Sequence, residues 1–190
     1  NSPAYWDTSK EPTESQFKLF KKHDSFWKKE MYELKNYCDD VGIEFMSTPF
    51  DVESVGFLND MMDVFKISSS DITNKPFIEN ICSFGKPIIL STGMCNLDEI
   101  RDSVNTIYEE GNNKLILLHA ITCYPTHSED VNLRSMQTLM DEFPQIDIGY
   151  SDHTLTPVAC LCAVAMGARV IEKHFTYDKE ADGPDHILSA

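Results

Sequence analysis

The 190-residue sequence lacks any long hydrophobic run. No apolar stretch approaches the about 18 residues that a membrane span needs, and residues 1–10 lack the basic and then apolar layout of a signal peptide. Basic residues are scarce too, since 16 Lys and Arg stand against 31 Asp and Glu and give a formal net charge of −15. Such an acidic chain repels phosphate backbones. Neither a membrane nor a nucleic acid is therefore an expected partner.

Several widespread motifs are also missing. The six cysteines include no CxxC pair and are too sparse for a disulfide scaffold, so we expect reduced thiols in a cytoplasmic protein. No GxGxxG, Walker A or GxSxG string follows a predicted strand, which disfavours dinucleotides, nucleoside triphosphates and an acyl nucleophile. Hydrophobic residues make up 42% of the chain, which is enough for one globular core.

Short apolar or β-branched segments alternate with segments of helical spacing. Strands are predicted over 43–50, 64–71, 87–94, 115–122, 146–154 and 168–176. Helices are predicted over 27–40, 52–61, 76–84, 97–110, 133–143 and 157–166. Successive strands begin 21 to 31 residues apart, the length of one strand, one helix and two short loops. This repeat predicts an α/β fold with a parallel sheet.

The position of the polar residues distinguishes a barrel from an open sheet. All six predicted strands end in polar strings, among them KISSSD, GYSDHT and EKH. A (β/α) barrel builds its active site from the carboxyl ends of many strands, whereas an open sheet uses one switch point. We therefore predict a (β/α)8 TIM barrel, present as a fragment of about six βα units. Two strands and a final helix are expected outside the fragment, whose two ends look cut.

Two histidines lie near the ends of consecutive predicted strands, His153 in GYSDHT and His174 in IEKHFT. Adjacent strands are about 4.8 Å apart, so imidazoles at matching heights can reach one metal ion. Neutral imidazole with water and oxygen ligands suits manganese, iron, cobalt or zinc, and spacing does not choose among them. Either histidine alone is as well explained as a hydrogen-bonded core residue. Together they favour a divalent metal site.

A second group offers hydroxyl or ammonium donors at strand ends: Thr48, Lys66, Ser69, Ser91 and Ser151. A phosphate is held well by one lysine charge and a ring of hydroxyl and backbone N–H groups. Any single serine or threonine here is better explained as a helix cap. The lysine differs, because an ammonium at the end of a buried strand needs an anionic partner. The group predicts an oxyanion site.

A third group consists of Tyr124, in the loop after the fourth predicted strand, and Asp185 in the string GPDH. A hydroxyl and a carboxylate can orient a polar organic substrate. Tyrosine before proline is also a common packing element of loops, and DGPD is an ordinary turn string. Both readings stay open for this group.

The strings MSTPFD, KISSSDITN, GKPIILSTGM, GYSDHT, GARVIEKHFT and GPDH stand in an order and spacing that resembles the sialic acid synthase family, N-acetylneuraminate synthase and related nonulosonate synthases. The resemblance implies a barrel enzyme that condenses phosphoenolpyruvate with N-acetylmannosamine, or a related acetamido sugar, and water. The products are N-acetylneuraminate, or a related nonulosonic acid, and phosphate. Carbon 3 of the enolpyruvate attacks the open-chain aldehyde, water adds to carbon 2, and phosphate leaves by C–O cleavage.

The resemblance also implies residue roles. His153 and His174 would bind a divalent cation, usually Mn²⁺ or Mg²⁺, and would be catalytic together with Lys66. The residues that would hold phosphoenolpyruvate are Thr48, Lys66, Ser69, Ser91 and Ser151. The residues that would contact the sugar are Thr122, Tyr124 and Asp185.

The resemblance further implies that residues 1–190 form a partial barrel domain. The first two strands and a small antifreeze-like C-terminal domain would lie outside it, and the full-length protein would be a cytoplasmic homodimer. Thr122 and Ala120 depart from the family pattern, which normally has serine or asparagine and cysteine there. The identity of the sugar is therefore open.

Other functions were weighed against this one. A legionaminate or pseudaminate synthase, or a spore-coat polysaccharide synthase, would use the same chemistry on a different sugar. A metal-dependent barrel hydrolase usually needs an HxH pair, which the sequence lacks. A non-catalytic barrel kept as a binding module would have lost Lys66 or a metal histidine, and both are present.

Overall fold

The computed structural model describes residues 12–13, 15–183 and 185–190. The helices found there are α1 (Gln16–His23), α2 (Lys28–Val41), α3 (Val52–Leu58), α4 (Lys75–Cys82), α5 (Leu97–Glu109), α6 (Arg134–Glu142) and α7 (Val158–Ala165). The strands are β1 (Phe65–Ile67), β2 (Ile88–Ser91), β3 (Leu115–Ala120), β4 (Asp147–Asp152) and β5 (Ile171–Lys173). Short 3-10 turns follow at Ser69–Asp71 and His186–Leu188.

All five strands form one parallel sheet in the order β1-β2-β3-β4-β5. Each strand pairs with the next one along the chain, and a helix crosses over between them, as the βα repeat predicts. Five of the six predicted strands and all six predicted helices are confirmed, with shorter strands than expected. The fold is therefore a partial (β/α)8 barrel.

The prediction of a strand over 43–50 is wrong, so the described sheet has five strands rather than six. The amide of Ile43 bonds the carbonyl of Cys38 in α2, and the amide of Ser47 lies 2.9 Å from the sulfur of Met62. These contacts leave the segment without a ladder to β1, which pairs only with β2 among the described strands. A strand needs a neighbouring strand as well as an apolar sequence, because its backbone bonds are non-local.

The sheet has two faces of different character. Side chains alternate along each strand, so Phe65, Leu90 and Leu117 share the outer face, which packs against the helices in the hydrophobic core. The inner face carries Lys66 from β1, and from β4 it carries Ser151. The period of two thus separates the core under the helices from an inner face that is apolar at Ile89 and Leu118 and polar at Lys66 and Ser151.

The sheet is strongly curled. A flat sheet would hold its edge strands about 19 Å apart, at about 4.8 Å for each of four gaps. Yet the ammonium of Lys66 on β1 lies 3.2 Å from a carboxylate oxygen of Glu172 on β5. Two edge strands whose side chains touch require the closing curvature of a barrel. The curl gathers inner-face residues of all strands around one space.

Local signals fix the helices around this sheet. Asn96 caps α5 by accepting from the amides of Asp98 and Glu99, and Glu99 accepts in return from the amide of Asn96. Asp51 caps α3 in a similar way through Ser54. No helix in the described part of the chain is long and apolar enough to cross a bilayer. None of the six cysteines forms a disulfide.

Candidate active site at the carboxyl ends of the strands

The inner face carries a buried lysine held by a carboxylate. Lys66 is 8% exposed, and Glu172 provides its anionic partner at 3.2 Å. The hydroxyl of Ser151 donates to the other oxygen of Glu172 at 2.6 Å. Ser151 and Glu172 are register partners on β4 and β5, so their side chains leave the sheet side by side. Lys66 thus has an anionic partner within the chain, and its role toward a phosphate stays a prediction.

Two imidazoles follow the carboxyl ends of β4 and β5. His153 and His174 are the first residues after these strands and come two residues after Ser151 and Glu172. Their ring centres are 5.4 Å apart, and the ring of Tyr124 lies 4.1 Å from the first and 5.8 Å from the second. The structure therefore brings the two predicted metal ligands together and places a predicted sugar contact against both.

The tautomer of His153 suits a metal ligand. Its Nδ1 lies 2.7 Å from the carbonyl oxygen of Ile121, which can only accept, so Nδ1 carries the proton and Nε2 keeps its lone pair. Burial lowers the pKa of His153, and the nearby His174 lowers it further, so the ring stays neutral near pH 7. On the other imidazole, Nδ1 faces a carboxylate oxygen of Asp185 at 3.9 Å.

The donor set fits a shared cation rather than a closed structural site. With metal–nitrogen distances of about 2.0–2.1 Å, two imidazoles on one ion have ring centres roughly 5 Å apart, close to the spacing of His153 and His174. Across residues 12–13, 15–183 and 185–190, no three His, Cys, Asp or Glu side chains are grouped to hold a metal. The spacing of His153 and His174 would allow both imidazoles to bind one cation.

The loops after β1, β2 and β3 meet beside this pair. The amide of Gly93 donates to the hydroxyl of Ser69 at 2.9 Å, and a Cβ at that glycine would lie 2.8 Å from both Ser69 Oγ and Thr122 Cγ2. Only glycine lets these three loops approach so closely. Ser91 is 4% exposed and ends β2 just before this junction. Ser69 and Thr122 therefore meet at Gly93, and Ser91 lies two residues before that glycine.

The last two candidates lie differently. Asp185 stands beside His174, before the 3-10 turn, and its neighbour Pro184 lies outside the described residues. Thr48 lies in the 43–50 segment, is half-buried, and hydrogen-bonds no described residue. Its expected place at a strand end is wrong because that strand does not form. No described contact ties Thr48 to the other candidates, and Ser91 is placed near them only by its position at the end of β2.

With this geometry in view, comparison with known proteins decides the family. The model of the NeuB family matches residues 1–190. The chain belongs to the NeuB family. The resemblance to sialic acid synthases is thereby confirmed.

Individual relatives agree with this assignment. The chain is 48% identical over 163 residues to the N,N'-diacetyllegionaminic acid synthase of Legionella pneumophila, covering 83% of this chain and 46% of that protein. It is 36% identical over 183 residues to the human N-acetylneuraminate-9-phosphate synthase, covering 96% of this chain and 51% of that one. The crystal structure of the N-acetylneuraminic acid (sialic acid) synthetase of Leptospira borgpetersenii, in complex with citrate, superposes with a TM-score of 0.87 at 36% identity.

The matches also define how much of these proteins is compared. The chain spans about half the length of the curated relatives it matches. The superposition with the Leptospira structure covers 96% of this chain and 65% of the Leptospira chain. Each named relative is a synthase.

The sequence motifs do not predict a role for three charged residues at or directly behind the site, Glu172, Asp152 and Lys173. Glu172 binds both Lys66 and Ser151, and Asp152 pairs with Lys173 at 2.7 Å. A signal for them exists, because charged residues that interrupt two consecutive buried strands, in YSDHT and IEKHF, need partners. Which charge pairs with which could not be read, since that depends on register and on the curl of the sheet.

Proposed function

We propose that the protein carrying this chain condenses phosphoenolpyruvate with an acetamido sugar and water, giving a nonulosonic acid and inorganic phosphate. The observation that carries the proposal is the layered inner face. Lys66 and Ser151 form a lysine–hydroxyl layer inside the sheet. His153 and His174 form an imidazole layer just beyond the carboxyl ends of β4 and β5. An anionic donor and a carbonyl acceptor held in these two layers would be adjacent.

The lower layer suits the donor. The acidic chain disfavours anions in general, so the nearly buried ammonium of Lys66 is the local charge that would attract phosphoenolpyruvate. The hydroxyls of Ser69, Ser91 and Ser151 border the same space and would donate to phosphate or carboxylate oxygens. Glu172 would keep Lys66 oriented before the substrate binds, and the incoming anion would compete with Glu172 for the lysine.

The upper layer suits the acceptor. His153 and His174 would hold a divalent cation, with Mn²⁺ or Mg²⁺ as the first candidates, which as a Lewis acid would polarise the sugar aldehyde. Tyr124 packs against both rings, and its phenol stays protonated because burial, followed by the charges of Glu172 and Asp185, raises its pKa. That hydroxyl would donate to the sugar.

For the sugar itself, we propose a 6-deoxy diacetamido acceptor ahead of N-acetylmannosamine. The support is the 48% identity to a legionaminic acid synthase, against 36% to the human N-acetylneuraminate-9-phosphate synthase. Thr122 and Asp185, which lie beside Gly93 and His174 respectively, would form part of the acceptor wall. Homodimer formation and a cytoplasmic location remain predictions.

The experiment that tests the proposal is phosphate release by the full-length protein. Phosphoenolpyruvate and Mn²⁺ are supplied with N-acetylmannosamine, with its 6-deoxy diacetamido relatives, or with no sugar. We expect release only with a sugar, fastest with a diacetamido acceptor, and the product is identified by mass spectrometry. Absence of release with every sugar, in folded and metal-supplied protein, would contradict the synthase proposal and favour the binding module.

A further inference from the structure

A buried carboxylate stands behind the candidate site, on the other face of the sheet. Asp152 is fully buried, at 0% exposed. It accepts hydrogen bonds from Tyr150 Oη at 2.9 Å, Thr154 N at 3.0 Å, Thr154 Oγ1 at 3.1 Å, Cys160 Sγ at 3.2 Å and Lys173 Nζ at 2.7 Å. Nothing in the reaction proposed above uses this group.

The face on which this cluster lies excludes contact with substrate. Asp152 and Lys173 are register partners on β4 and β5, one residue beyond the inner-face pair of Ser151 and Glu172. Because side chains alternate along a strand, they point to the outer face. The bond that Asp152 accepts from Cys160 of α7 confirms this direction. The ion pair therefore lies between the sheet and the helical layer.

Burial of this charge is not explained by stability alone. Burial opposes ionisation, so the charge depends on its partners, and the oxygens of Asp152 accept bonds from Lys173, Thr154, Cys160 and Tyr150. Buried ion pairs seldom stabilise a fold more than well-packed apolar residues of similar volume would. A fully satisfied polar network does, however, fix one arrangement of the groups it joins.

The groups joined here flank both metal-binding candidates. His153 lies between Asp152 and Thr154, and Lys173 immediately precedes His174. The ammonium of Lys173 bonds Asp152 on one side of His153 and the carbonyl of Thr154 on the other side, at 2.6 Å. Any sliding or splaying of β4 against β5 would stretch these bonds.

We propose that Asp152 and Lys173 are a positioning pair, which sets the separation and orientation of His153 and His174 from behind the sheet. The inference rests on the proposed function to the extent that these imidazoles share a cation. The inference goes beyond the proposed function because it assigns a role to two residues that contact neither the substrate nor the metal.

The test is Asp152→Asn in the full-length protein, which keeps the size of the side chain and removes its charge. We expect the folded variant to bind Mn²⁺ about tenfold more weakly, at the low end of the loss caused by removing a group bonded to a metal ligand, because Asp152 contacts neither imidazole directly. Mn²⁺ binding is followed by the electron paramagnetic resonance signal of the free ion. The matched control is Glu142→Gln, which breaks the pair with Arg101 between α5 and α6, and we expect unchanged Mn²⁺ affinity.

A metal-free readout separates the two proposals. Imidazole ¹⁵N shifts of the metal-free wild type should show His153 protonated at Nδ1, and Asp152→Asn should mix the two tautomers. Unchanged shifts and unchanged Mn²⁺ affinity in the folded variant would overturn the positioning role and leave the synthase proposal standing. A wild type that binds no Mn²⁺ would contradict the metal site, while the ¹⁵N shifts would still decide the positioning role. If Asp152→Asn fails to fold, Tyr150→Phe removes one donor and should move both readouts less, in the same direction.

Discussion

Lys66→Ala tests the donor site most sharply, because the lysine is nearly buried and has one described ionic partner. A charge-assisted hydrogen bond contributes about 1.5–3 kcal/mol. The free protein already pairs Lys66 with Glu172 at 3.2 Å, so substrate exchanges one partner for another, and the lower half of that range applies. At about 1.4 kcal/mol for each factor of ten, the KM for phosphoenolpyruvate should rise about 10- to 40-fold. The KM for the sugar should stay within about twofold, because Lys66 lies below the imidazole layer.

Folding is expected to survive this change. Glu172 is 43% exposed in its side chain and keeps its bond from Ser151, so water can solvate its charge once the lysine is removed, and urea unfolding measures the remaining loss of stability. Lys75→Ala is the matched control, since that lysine pairs with Asp102 at 2.9 Å on the helical surface. Steady-state phosphate release with each substrate varied in turn gives both constants.

Two outcomes would refute the reasoning. Equal increases in both KM values would mean that Lys66 supports the whole site rather than the donor. An unchanged KM for phosphoenolpyruvate would mean that the anion binds elsewhere.

Further predictions follow from single contacts. Gly93→Ala should displace Ser69 and raise the KM for phosphoenolpyruvate. Its control is Gly56→Ala, which has nothing within 4 Å of the new Cβ and should only stabilise α3 by about 0.5–1 kcal/mol. Steady-state kinetics and urea unfolding check both variants, and the same KM in both would count against a role of the loop junction in binding phosphoenolpyruvate. The pKa of Asp152 is lowered in the folded state, so its ionised form stabilises the fold at pH values above 3.8, its ordinary pKa, and this stabilisation is lost as the pH falls through the lower pKa of the folded state. Asp152→Asn should therefore flatten the fall in unfolding free energy between pH 5 and pH 3. His174→Ala should abolish turnover while the protein stays folded. Phosphate release by this variant that is unchanged after chelation and addition of Mn²⁺ would contradict the metal assignment.

The local parts of this protein were predictable. The βα repeat fixed the helices and five of the strands, because hydrophobic periodicity and helix caps are properties of neighbouring residues. The period of two also put Ser151 with His153 on one face of β4, and Glu172 with His174 on one face of β5. The failed strand at 43–50 shows the limit, since its apolar pattern says nothing about whether a partner strand is in reach.

By itself, then, the sequence determined a parallel α/β fold with polar strand ends and a pair of histidines on consecutive strands. Only the tertiary structure decided that Lys66 meets Glu172, since that contact depends on how far the whole sheet curls. It also decided that Asp152 pairs with Lys173 behind the site, where register and the packing of α7 select the partner. Both pairings join residues distant in the chain, and non-local distances are set by packing rather than by local sequence preference.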